Sequence, residues 1–135
     1  MKIIPFFKKL YEDGSLRDKF RERVMFPIHS LSGRVIAYSG RTLRSDNPAK
    51  YVNSPETDIY IKSRNLLGIY FAKSEISRLD KCILVEGNID VVTLHQYGFD
   101  NAIASLGTSL TEEQAALLSK YTEQVVLIYD GDNAG

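Results

Sequence analysis

Apolar positions change their rhythm once along this chain, near Asp80. Before it, VMFPIHS and RVIAYSGRTL are short runs rich in β-branched and aromatic residues, separated by Ser32-Gly33, and together they predict an antiparallel hairpin. After it, CILVE is a continuous apolar run of the kind found in a parallel strand covered on both faces. Asn88 is placed to cap a helix over IDVVTLHQY, in which Val91, Leu94 and His95 share a face and which Gly98 ends. NAIASL is the second strand. Thr111, with Gln114 three residues on, forms a capping-box signature that opens TEEQAALLSKY, and VVLIY returns as the third strand.

The order strand, helix, strand, helix, strand defines a βαβαβ unit over residues 80–135. The upstream part, residues 1–79, is less regular. MKIIPFFKKLY reads as a short amphipathic helix, EDGS as a turn, LRDKF as a short helix, and Phe71 to Leu79 as a longer one. SDNPAKYVNSPETD is a loop, because proline fixes its φ while Asn, Asp and Ser hydrogen-bond their own backbone. The expected fold class is therefore α/β: a mixed α+β subdomain followed by a parallel sheet.

An apolar fraction of 44% over 135 residues is that of a globular chain. No apolar run approaches the roughly 20 residues of a membrane span, and the start MKIIPFFKKL lacks a long apolar core ending in small residues, so no membrane partner and a cytoplasmic location are expected. The single cysteine, Cys82, lies in an apolar run. It reads as a small core residue in a reducing compartment, and it offers neither a disulfide nor a zinc site.

Charge divides the chain more sharply than composition does. Residues 1–64 hold 13 Lys/Arg against 7 Asp/Glu, net +6; the remainder holds 4 against 10, net −6. A basic half joined to an acidic half suits a protein that grips a polyanion with one part and a cation with the other, although charges also cluster on solvated faces for no such reason.

Ligands of open parallel sheets bind at the C-terminal ends of the strands. Glu86 ends the first strand and Asp130 and Asp132 follow the third, so topology carries three carboxylates more than forty residues apart to one rim. Gly87 and Gly131 permit tight turns beside them and leave room for a bulky anion. Asp-Gly-Asp alone is ordinary turn chemistry; joined to Glu-Gly at another strand end, it favours a hard divalent cation such as Mg²⁺. Asp90, in the first turn of the following helix, suits the positive end of the helix dipole and also an outer partner of a metal site. His29 and His95 lack a second ligand at suitable spacing and read as structural residues.

The upstream cations include Arg21, Arg23, Arg34, Arg41, Arg44, Lys50, Lys62 and Arg64. Some form a solvated face. Arg21 and Arg23 flank Glu22 before an apolar strand, Arg41 follows Gly40 inside one, and Lys50 stands beside Tyr51 and Asn53 in a structured loop. Such cations with a nearby amide suit a nucleic-acid or nucleotide groove.

Taken together, RERVMFPIHSLSGRVIAYSGRTL, KYVNSPETDIYIKSRNLLGIY, LVEGNIDVVTLHQYG, AIASLGTSLT and YDGDNAG closely resemble the catalytic core of bacterial DnaG-type DNA primases, from about Leu16 to Gly135. The Glu-Gly and Asp-x-Asp elements alone indicate only a Toprim domain, which primases share with topoisomerases, OLD-type nucleases and recombination-repair proteins. The upstream MFPI, SGR and KYVNSPET blocks make the resemblance specific to primases.

The resemblance implies template-directed synthesis of short RNA primers on single-stranded DNA by metal-dependent nucleotidyl transfer. It implies Mg²⁺, with Mn²⁺ as a substitute, held by Glu86, Asp130 and Asp132 as catalytic and metal-binding carboxylates, with Asp90 supporting them. Arg21, Arg23, Arg41, Lys50, Asn53 and Lys62 would contact template and nucleotide. The implied partners are the DNA template, the RNA primer, ribonucleoside triphosphates and, through a domain absent here, the replicative helicase, in a nucleoid-associated protein. Asn88 departs from the tyrosine common at that place in the family, and a further Asp-x-Asp pair of the Toprim domain is absent before Gly135, so the chain is expected to be a truncated part of such an enzyme and nearly inactive alone. The alternatives are a non-catalytic nucleic-acid-binding Toprim module of a mobile element, and a Toprim nuclease or topoisomerase.

Overall fold

A computed structural model describes residues 8–131. A two-stranded ribbon, β1 (Lys8–Leu10) and β2 (Leu16–Asp18), comes first. A three-stranded antiparallel sheet follows, with β3 (Arg23–His29), β4 (Val35–Thr42) and β5 (Tyr51–Asn53) in that order. After a 3₁₀ turn (Lys62–Arg64) come helix α1 (Ile69–Leu79), β6 (Cys82–Val85), α2 (Asn88–Gln96), β7 (Ala102–Ala104), α3 (Glu112–Leu118) and β8 (Val125–Ile128). The last three strands form a parallel sheet in the order β7-β6-β8. The α/β class and the βαβαβ order are those expected.

The predicted hairpin is β3–β4. Gly33 takes φ +86°, a conformation that an L side chain rarely adopts, and a Cβ there would lie 2.6 Å from Cζ of Tyr70. Glycine is thus required both by the turn and by the ring packed over it. The Thr111 capping box also forms: the Thr111 hydroxyl accepts from the Gln114 N–H at 3.1 Å, and the Gln114 side chain accepts from the Thr111 N–H at 3.1 Å.

Three expectations need correction. LRDKF is not a helix, because Leu16–Asp18 pairs as a strand with Lys8–Leu10. The intervening turn dictates this: Asp13 Oδ1 accepts from both the N–H and the hydroxyl of Ser15, at 2.9 and 2.6 Å. A five-residue helix has too few internal hydrogen bonds to compete with that local closure. For the same reason Lys8–Leu10 is strand rather than the end of an amphipathic helix, while residues 1–7 of that expectation lie outside the described residues. Finally, α2 is capped by Gly87 rather than by Asn88, which is its first helical residue.

Alternation along β3 and β4 decides what each end of their sheet faces. Ser39 lies opposite Phe26, and Ala37 opposite Ile28, so these four side chains share one face with Arg41. At the hairpin end this face is apolar and packs with Leu67, Val85, Val91, Ala104 and Leu106 into one core. At the other end it presents Ser39 and Arg41. A second core lies against the parallel sheet, where Leu66, Ile69, Ala72 and Ile76 meet Cys82, Leu84, Ile103 and Leu118. The β7 edge is closed by Leu67, whose N–H and C=O exchange hydrogen bonds with Ala104 at 2.9 and 3.1 Å. At the opposite edge, the apolar residues of β8 remain exposed.

Candidate nucleotide and metal cleft

Glu86 follows the last residue of β6, and Asp130 stands two residues beyond the end of β8. Because Val85 is in register with Ile128 on the adjacent parallel strand, both carboxylates leave the sheet at the same rim. Between Glu86 and α2 the chain turns tightly at Gly87. The Gly87 N–H donates to Asp90 Oδ2 at 3.1 Å, and a Cβ on Gly87 would sit 2.5 Å from that oxygen. Asp90 therefore closes the N-terminus of α2, where a negative charge also meets the positive end of the helix dipole.

These acids form one wall of a cleft of about 690 Å³. The facing wall comes from the antiparallel sheet: Arg41 near the end of β4, Tyr51 opposite it on β5, and Lys50 just before Tyr51. The loop after β7 supplies Ser105, Gly107, Thr108 and Ser109, and Ile89 and Tyr129 complete the lining. Burial pushes the Tyr51 phenol up, with Arg41 opposing and Asp90 adding to the rise, so this ring senses both walls. Burial also raises Tyr129, and the charge of Glu86 adds to it.

Of the residues singled out in the sequence, Glu86, Asp90, Asp130, Arg41 and Lys50 meet here. Asp132 lies outside the described residues. The others are elsewhere. Arg23 Nη1 donates to the Gly40 and Lys50 carbonyls at 3.2 and 3.1 Å, which fastens the Lys50 segment to β4. Arg21 lines a separate cleft of about 410 Å³ with Glu22, Arg44, Asp46 and Asn47. Asn53 is half-buried opposite Ser39, two ladder positions from the Arg41–Tyr51 pair. Lys62 belongs to the 3₁₀ turn, where its N–H donates to Glu56 Oε1 at 2.9 Å. Its charge is felt by Lys19, whose ammonium is lowered by burial first and then by Lys9 and Lys62.

Sequence reading passed over Tyr51, Tyr129 and the hydroxyl-bearing loop as site residues. The loop had a visible signal: SLGTS directly follows the second parallel strand, hence it ends at the same rim as Glu86. Among the described residues, no group of three or more His, Cys, Asp or Glu converges as a metal site. Glu86 and Asp130 alone are an all-oxygen pair at one rim, a donor set that fits a hard cation retaining much of its water.

Residues 6–73 match the family model of the DNA primase catalytic core, N-terminal domain, and residues 83–135 match a Toprim-like model. The DNA primase of Escherichia coli strain K12 is 51% identical over 124 residues, which are 92% of this chain and 21% of that protein. The chain thus spans about a fifth of the length of the curated relatives it matches. Among solved structures, the zinc-binding and RNA polymerase domains of the Aquifex aeolicus primase superpose with a TM-score of 0.86 at 44% identity, over 95% of this chain and 32% of that one. The DnaG primase catalytic domain bound to single-stranded DNA superposes with a TM-score of 0.85 at 49% identity, over 96% of this chain and 41% of that one.

Proposed function

The chain belongs to the bacterial DnaG-type DNA primases, and from that premise we propose that it takes part in template-directed synthesis of RNA primers on single-stranded DNA. The observation that carries this reading is the opposition, across one cleft, of Arg41 and Lys50 to Glu86, Asp90 and Asp130. A nucleotidyl-transfer site needs both signs of charge at once: cations for phosphates and carboxylates for the ion that escorts them.

In this reading Glu86 and Asp130, with Asp132, hold Mg²⁺ or Mn²⁺, and the ion when bound supplies neutralisation of the triphosphate. Asp90 keeps the Glu86-Gly87 turn in place through its bond to the Gly87 N–H. Arg41 and Lys50 bind phosphate oxygens of the incoming ribonucleoside triphosphate or of the RNA primer. The remaining upstream residues, Arg21, Arg23, Asn53 and Lys62, serve the template path, Arg23 by holding the Lys50 segment. We divide these roles between a basic subdomain in residues 1–79 and a Toprim segment in residues 80–135. Contact with a replicative helicase at the nucleoid belongs to the same reading, through a domain outside these residues. Among the described residues, no helix is long and apolar enough to cross a membrane.

The test is incorporation of labelled ribonucleotides on a single-stranded DNA template by the complete gene product. Synthesis that depends on Mg²⁺ and stops on chelation is expected. Template binding without incorporation would instead favour a non-catalytic module, and cleavage of the DNA would favour a Toprim nuclease.

A further inference from the structure

The acid wall and the cation wall belong to different sheets, and a buried side-chain hydrogen bond crosses the seam between them beside the cleft. Asn88 Nδ2 donates to Ser39 Oγ at 2.8 Å. Ser39 is 1% exposed and Asn88 5%. Neither lines the cleft, yet each is locked to a residue that does. Ser39 precedes Arg41 by two positions on the same face of β4, and its backbone lies in the ladder between Phe26 and Asn53. Asn88 stands midway between Glu86 and Asp90, in the first turn of α2.

Apolar packing elsewhere in the seam holds the sheets together but is non-directional, so it fixes their lateral register poorly. A hydrogen bond with both ends on rigid elements is directional and short-ranged, and breaking it strands a buried polar group. Tyr51, opposite Arg41 on β5, lines the same cleft as Asp90, so the two walls face each other beside this bond.

We propose that the Asn88–Ser39 hydrogen bond is a positioning pin that sets the span between Glu86/Asp130 and Arg41/Lys50, and thereby the fit of a metal-bound ribonucleoside triphosphate that must touch both walls. The pin rests on the primase reading and adds to it a residue pair that touches no substrate.

The experiment compares Asn88→Ala, Ser39→Ala and the double variant in the complete gene product. Each single change should raise the KM for ribonucleoside triphosphates about tenfold while leaving kcat and single-stranded DNA affinity near those of the parent. The double variant should match either single one, because both break one bond. Mn²⁺ affinity measured without nucleotide should be unchanged, since its ligands lie on one wall. Some loss of melting temperature accompanies either role, since each single change strands a buried partner; a purely structural role would reduce the active fraction, and so kcat, with KM unmoved. That pattern, or effects that multiply in the double variant, overturns the pin. If the parent makes no primers, the function reading fails alone; the pin is then read from the affinity for a fluorescent Mg²⁺–ATP analogue, and equal affinities in parent and variants overturn it.

Discussion

The two halves of the cleft are built by opposite topological rules. In the parallel sheet every strand ends at the same rim, so Glu86, the loop after Ala104 and Asp130 come together whatever separates them in sequence. In the antiparallel sheet, direction reverses with each strand and side chains alternate between faces, so cations that are close in sequence diverge. Arg41 faces the cleft with its cross-strand partner Tyr51, whereas Arg23, paired with Thr42, turns to the Gly40 and Lys50 carbonyls. A parallel rim collects carboxylates; an antiparallel sheet sorts cations into those that line the cleft and those that hold the frame.

The largest effect expected from this contrast lies on the parallel rim. Glu86→Ala removes one of two described carboxylates at that rim and should lower primer synthesis by at least about 10³-fold, the scale on which metal-assisted charge stabilisation operates. Single-stranded DNA affinity should stay within about twofold, because the proposed template path runs through Arg21, Arg23, Asn53 and Lys62, none of which lies at that rim. Synthesis at the parental rate, assayed with saturating template, would show that the rim carboxylate is not part of the chemistry.

The same contrast explains what could be read before any coordinates. The alternation of CILVE, NAIASL and VVLIY with capped helices defines a parallel sheet, and parallel topology by itself converges Glu86 with Asp130. The cations were legible as a basic half but not as individuals, since facing in an antiparallel sheet depends on register. Lys62 and Arg21 follow from that gap: one sits in a 3₁₀ turn and the other lines a different cleft. The LRDKF strand was hidden because a local Asp13–Ser15 hydrogen-bonded turn outweighed the weak helical preference of a very short segment. Asn88 looked like a cap by residue type alone; Asp90 already serves the Gly87 N–H, and the Asn88 amide is taken by Ser39 across the seam, a partner 49 residues away that no local pattern discloses.

Within the basic half, the sorting itself is open to measurement with one pair of substitutions. Arg41→Ala should weaken ribonucleoside triphosphate binding about five- to tenfold and flatten its salt dependence by about one phosphate contact, with little change in stability. Arg23→Ala removes two hydrogen bonds to carbonyls and should destabilise the fold by about 2 kcal/mol in urea unfolding. Its effect on binding should be smaller than that of Arg41→Ala and should follow from release of the Lys50 segment. If the two variants exchange these behaviours, the division between ligand-facing and frame-holding cations is wrong.

The smallest effect is placed in the seam where the two halves share a core. Tyr60 is fully buried there with Phe26, Ile28, Val85 and Ala104, and its hydroxyl has no hydrogen-bond partner among the described residues. A buried hydroxyl left without a partner costs desolvation that a phenylalanine avoids, so Tyr60→Phe should stabilise the protein by about 1 kcal/mol at neutral pH. The pH dependence supplies an independent check. Burial, with a smaller contribution from Glu56, pushes the Tyr60 phenol up to about 12 from an ordinary value of 10.0. A raised folded value means that its contribution to stability is fully present below about pH 10 and is lost as pH rises towards about 12, because the unfolded chain gives up the proton first. Phenylalanine lacks that loss. The advantage of Tyr60→Phe should therefore be constant below pH 10 and widen between pH 10 and 12. Cys82, also pushed up to about 12 by burial, cancels from the difference because both proteins carry it. Urea titrations of both proteins at neutral pH and at two points in the alkaline window decide the matter: a parent more stable than the variant at neutral pH would mean that the hydroxyl is satisfied, and a gap that stays constant above pH 10 would mean that Tyr60 is not buried at the seam.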